Sequence, residues 1–104
     1  MLSFSMDRTQ ALRILKDARA GLQARGVRHA ALFGSLARGQ SHAWSDIDVL
    51  VTPEPGRRFD LFDLGAIQSL LDDAFRGYRV DVVFEPIRSH ELKDTISRDS
   101  VHAF

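Results

Sequence analysis

The sequence predicts an α/β (α+β) fold in which a small sheet is flanked by helices. Short apolar runs at 29–33, 47–51 and 80–84 have strand length, and glycine or proline closes or follows each. Longer segments between them repeat apolar residues three or four apart. Strands alternating with helices bury their apolar surfaces best as layers around one sheet. At 104 residues the chain is expected to form one domain over 1–104.

The first helix is predicted over 7–25. Asp7 caps it, Gln10 completes a capping-box pattern, and Leu12, Leu15, Ala18 and Leu22 share one face. Gly26 stops it. A buried strand follows at 29–33 and ends at Gly34, and residues 35–38 suit one turn of helix. Residues 40–45 are polar and loop-like, too short for a full crossover helix. The second strand, 47–51, is broken off by Pro53, Pro55 and Gly56. A second long helix over 60–76 aligns Leu64, Ile67, Leu71 and Phe75, and Gly77 closes it. The third strand, 80–84, ends before Pro86, and a last short helix is predicted over 89–97. The remaining tail has no assigned structure, and no internal repeat or low-complexity tract is visible.

The composition, 44% hydrophobic and 27% charged, suits a soluble globular chain and argues against disorder. A formal net charge of zero gives no global attraction to nucleic acid or anionic membrane. Without cysteine there is no disulfide or thiolate metal site, so a reducing cytoplasm is the expected location. No signal-peptide pattern and no apolar run of membrane-spanning length is present.

Chemistry concentrates at two aspartates in the second strand. Alternation puts Asp46 and Asp48 on one side and Ile47 and Val49 on the other. Two like charges this close repel, and no Lys or Arg adjoins them in sequence. A divalent cation answers the problem, and hard carboxylate oxygens suit Mg²⁺. The alternative is a solvated strand end. Asp81, flanked by Val80 and Val82, is a third carboxylate in an apolar strand. If its strand neighbours the second, all three share a face and can hold two metals for in-line phosphoryl displacement. The competing reading pairs Asp81 with Arg79 or Arg76. Asp63 and Glu85 fit the cluster less well.

Gly34 and Ser35 supply the second half of the pattern. Glycine allows close backbone approach, and a serine opening a helical turn offers its hydroxyl and free N–H groups to phosphate. Arg38, one turn on, can add a charge-assisted contact, and Gly39 lets the chain leave. Neither the P-loop ending nor the dinucleotide glycine spacing is present. A phosphate cradle shortly before a metal site is what nucleotide chemistry requires.

Residues 34–39, Gly-Ser-Leu-Ala-Arg-Gly, and residues 45–51, Ser-Asp-Ile-Asp-Val-Leu-Val, together resemble the signature of the DNA polymerase β-like nucleotidyltransferases. More closely, the chain resembles the minimal nucleotidyltransferase (MNT) family over nearly its whole length, including the helix start at 59–64 and Val-Asp-Val-Val at 80–83. The resemblance implies the nucleotidyltransferase fold with a small mixed sheet. It implies Mg²⁺ on Asp46 and Asp48, Asp81 as third catalytic carboxylate, and nucleotide phosphates on Gly34 and Ser35. The reaction implied is transfer of a nucleoside monophosphate, usually AMP from ATP, to a hydroxyl with loss of pyrophosphate.

Family members of this size are commonly antitoxins paired with a HEPN-domain toxin. They resemble protein adenylyltransferases that modify a toxin tyrosine. A HEPN partner in a hetero-oligomer is therefore expected here. Two alternatives stand beside it: an antitoxin that masks its toxin without chemistry, and a transferase acting on a small molecule or RNA. Trp44 suits base stacking or packing and His42 a solvated loop.

Overall fold

The computed structural model describes residues 6–39, 46–87 and 89–104. Helices α1 (Arg8–Asp17) and α2 (Arg19–Ala24) lead into strand β1 (Val27–Phe33). A single turn, α3 (Gly34–Ala37), precedes β2 (Ile47–Pro53). Helix α4 (Leu61–Ala74), strand β3 (Val80–Phe84), helix α5 (His90–Asp99) and a two-residue strand β4 (Val101–His102) complete the order.

The strands form one sheet in the order β3-β2-β1-β4. β1 runs antiparallel to β2 and to β4, and β2 runs parallel to β3, so the sheet is mixed as expected. Side-chain alternation divides it into two unequal faces. On one face Leu32, Ile47, Val49 and Val51 are fully buried and meet Leu15, Leu22, Ile67, Leu71 and Phe75 from α1, α2 and the α4 region. On the other, a smaller cluster joins Ala31, Phe33 and Leu50 to Ile96 of α5, with Leu92, Val83 and Ile87 packed against it.

The Asp7 capping box is present: its side chain accepts from the Gln10 backbone N–H at 2.8 Å, and the Gln10 side chain accepts from the Asp7 N–H. Asp60 and Asp63 form the same reciprocal cap on α4. The leading helix differs from expectation. It breaks at Ala18, whose φ of −82° and ψ of −2° end α1, and α2 starts one residue later. The tail also differs, because β4 pairs Ala31 with His102 and Leu32 with Val101. The expected polar loop at 40–45, with His42 and Trp44, lies outside the described residues. Among the described residues, no helix is long and apolar enough to cross a membrane.

Candidate active site

Parallel pairing of β2 with β3 sets Ile47 against Val80 and Asp48 against Asp81. Phe33, the last residue of β1, lies opposite Asp48 on the other side. Phe33, Asp48 and Asp81 therefore form one row across three strands, on the face that α5 only partly covers. One row further in, Ala31, Leu50 and Val83 belong to the apolar cluster beneath α5. The carboxylates stand where that cluster ends. Asp46, directly before β2, completes the set, close enough for its charge to act on both Asp48 and Asp81.

The electrostatics of this row are those of crowded acids. The Asp48 carboxyl is pushed from its ordinary 3.8 up to about 6. Desolvation is the largest cause, and the charges of Asp81 and Asp46 follow; the guanidinium of Arg38 opposes them. The Asp81 carboxyl is also raised, first by desolvation, then by its hydrogen bond with Asp46 and by the Asp46 charge, against a lowering by Arg79.

Cations do approach the row, although none adjoins the Asp46–Asp48 pair in sequence. The Arg79 guanidinium is 3.7 Å from Asp81. Both groups are open to water, so this long pair adds little and leaves Asp81 raised. Arg38 instead bonds the carboxylate of Asp99 at the end of α5, at 3.0 Å. It thus ties the α3 turn to α5 while its charge still reaches Asp48.

The glycine turn is built against the same carboxylate. Gly34 has a φ of +76°, a backbone state that L side chains rarely adopt. A Cβ added there would collide with Oδ2 of Asp48. The backbone of the turn and the Asp48 carboxylate are thus in direct apposition, and a residue with any side chain would separate them. Ser35 follows, half-buried, in the first turn of α3. Its N–H and those beside it have no partner within so short a helix.

Asp63 and Glu85 lie apart from this row. Asp63 caps α4 and accepts from Arg57 at 3.1 Å; the backbone N–H of Asp60 is the main cause holding its carboxyl below the usual value. Glu85 lies beyond the far end of β3 and lines a cavity of about 510 Å³ with Phe59, Leu64 and Phe84.

The donor set suits a hard divalent cation: oxygen ligands only, on one face, with two of the acids raised by desolvation and by the charge of their neighbours. Among the described residues, no three acidic or histidine side chains are already drawn into a closed ion-binding cluster.

A family model described as the nucleotidyltransferase domain matches residues 12–101. The chain belongs to the nucleotidyltransferase family. This nucleotidyltransferase is 38% identical over 76 residues to a Methanocaldococcus jannaschii protein provisionally named a protein adenylyltransferase, covering 73% of this chain and 78% of that one. A solved structure provisionally described as a minimal nucleotidyltransferase superposes with a TM-score of 0.70 at 34% identity, covering 92% of this chain and 95% of that one. The fold is also shared by a complex of a tri-AMPylated Shewanella oneidensis HEPN toxin with an MNT antitoxin. There the TM-score is 0.61 at 18% identity, over 89% of this chain and 71% of that one. The α/β architecture and the mixed sheet expected from the sequence are those of the family.

Proposed function

We propose that this nucleotidyltransferase moves AMP from ATP to a protein hydroxyl, the acceptor being a tyrosine of a HEPN-domain toxin that the modification silences. The observation that carries this reading is the Asp48 carboxylate, set opposite Asp81 and against the Gly34 backbone, with its carboxyl raised to about 6 by desolvation and by the charges of Asp81 and Asp46. A carboxylate so placed is under-neutralised until a cation and a nucleotide arrive. The name of the M. jannaschii relative and the MNT–HEPN complexes of the same fold support a protein acceptor.

Asp46, Asp48 and Asp81 would hold Mg²⁺. When bound, Mg²⁺ supplies charge neutralisation for the phosphates and acidifies the acceptor hydroxyl. Gly34 lets the phosphate chain approach the α3 turn, and the N–H groups of Ser35 and its neighbours donate to phosphate oxygens. The acceptor oxygen attacks the α-phosphorus, forming a new O–P bond. The bond from the α-phosphorus to the bridging oxygen breaks, and pyrophosphate leaves with that electron pair. Asp81, whose carboxyl is raised by desolvation and by Asp46, accepts the hydroxyl proton.

Arg38 serves the phosphates on this reading, and its exposed bond to Asp99 is secondary. Replacing it with Ala should raise the KM for ATP about tenfold, the size of one charge-assisted hydrogen bond. Loss of the exposed pair alone should cost under ~1 kcal/mol in urea unfolding. An unchanged KM for ATP would remove Arg38 from the phosphate site.

The function is tested by incubating the protein with Mg²⁺, ATP labelled at the α-phosphate, and a HEPN-domain protein from the same source as candidate acceptor. Label on a tyrosine of the HEPN protein, absent with Asp48→Asn, is the expected result. A stable, inactive complex without label would make the chain a masking antitoxin instead.

A further inference from the structure

The acceptor must reach a carboxylate row that ends on an edge strand. β3 is the outermost strand of the sheet, and Asp81 belongs to it. The hydrogen bonds to β2 fix which backbone groups face inward. The Arg79 carbonyl accepts from the Ile47 N–H at 2.8 Å, and the Glu85 N–H donates to Val51 at 3.1 Å. Alternation then turns Asp81 and Val83 inward, and Val80, Val82 and Phe84 outward. The Val80 carbonyl confirms the direction, since it accepts from the Gln68 side chain outside the sheet, at 3.0 Å. No described residue bonds to the outward groups of Val82 and Phe84.

Proteins usually block such an edge with Pro, Lys or a bulge, or keep it very short. The opposite edge follows that rule, since β4 has two residues. β3 has five, Val-Asp-Val-Val-Phe, in unbroken register with β2; Gln68 of α4 caps its first carbonyl and Asp81 is its one charge, but Val82 to Phe84 carry no Pro, Lys or bulge.

We propose that the outer edge of β3 takes the protein acceptor as an added extended strand, paired through Val82 and Phe84. The acceptor's hydroxyl residue then lies opposite Asp81. The proposal rests on the protein-transfer reading and specifies how the acceptor is held. A residue opposite Asp81 has its side chain on the carboxylate face, its Cβ about 5 Å from that of Asp81. The residue opposite Phe84 points to the other face, beside the cavity of about 510 Å³ lined by Phe59, Leu64 and Phe84. The edge therefore reads two positions of the acceptor three residues apart: a hydroxyl at the first and an apolar side chain at the second. Main-chain hydrogen bonds supply the affinity, as in other strand additions.

The test is Val82→Pro, with Val82→Thr as control. Proline removes the outward N–H at a position where an edge strand accepts it, and threonine keeps that N–H. The probe is the HEPN-domain protein used above, with labelled ATP and Mg²⁺. The expected result is an acceptor KM raised about tenfold in V82P, near wild type in V82T, and unchanged ATP affinity in both. An unchanged acceptor KM in V82P, or a matching loss of ATP affinity, overturns edge docking while leaving the transfer reading intact. If wild-type protein labels no HEPN acceptor, the transfer reading itself fails and this proposal with it. Should V82P not fold, amide exchange at Val82 and Phe84 in the wild-type protein decides. Exchange at least tenfold slower with saturating HEPN protein is expected, and unaltered exchange overturns the proposal.

Discussion

Asp48→Asn is expected to lower AMP transfer by about 10²–10³-fold, the usual cost of removing one preorganised group from a charge-stabilising site. The same change should make the metal-free protein more stable at neutral pH, which a merely structural aspartate would not do. The sign follows from the raised pKa. With the carboxyl at 3.8 unfolded and about 6 folded, the native state keeps a proton that the unfolded chain has released between those values. Stability contributed by this group therefore falls as pH rises through that window, and the deficit is complete above about pH 6. Asp48 is half-open to water, so the deficit is on the order of 1 kcal/mol after allowing for solvent screening. Asparagine removes it, raising Tm at pH 7 by about 4 °C. Mg²⁺ should raise the Tm of the wild-type protein and leave D48N nearly unmoved. A D48N protein that transfers at the wild-type rate, or a wild-type Tm indifferent to Mg²⁺, would take Asp48 out of the metal site.

Gly34→Ala should damage fold and activity together. A left-handed φ of +76° costs a non-glycine residue about 1–2 kcal/mol. The collision of its Cβ with the Asp48 carboxylate adds to this. Asp48 cannot withdraw freely, because Ile47 and Val49 on either side are fully buried. Urea unfolding should show a loss of about 2 kcal/mol or more. Transfer should fall at least as far as in D48N, because both the phosphate approach and the carboxylate position are lost. An active and stable G34A protein would mean that the turn and Asp48 are not in contact.

Much of this site was legible in the residues. Strand alternation alone puts Asp46 and Asp48 on one side, and the glycine-serine turn marks where β1 gives way to α3. Asp81 was identified as a desolvated acid, but its place opposite Asp48 is a matter of register between strands more than 30 residues apart. No local pattern encodes that. The Arg38–Asp99 bond spans 61 positions and was invisible for the same reason. The break at Ala18 escaped because Leu12, Leu15, Ala18 and Leu22 keep helical spacing through it, with no Gly or Pro at the joint. β4 escaped because two residues show no periodicity; its partners on β1 give it a conformation that its own sequence does not.

The unequal faces of the sheet bear on how the molecule comes apart. The helices on the large core share many fully buried side chains, whereas α5 is held by Ile96, Leu92 and the bond from Arg38. So small a set of contacts predicts that α5 opens at lower cost than the helices packed on the large core. Its release would uncover Phe33 and Leu50 beside Asp48 and free the Arg38 guanidinium from Asp99 in the same event. The carboxylate face is thus also the compliant face, and the breathing of one peripheral helix changes both the water content and the cationic charge around Asp48.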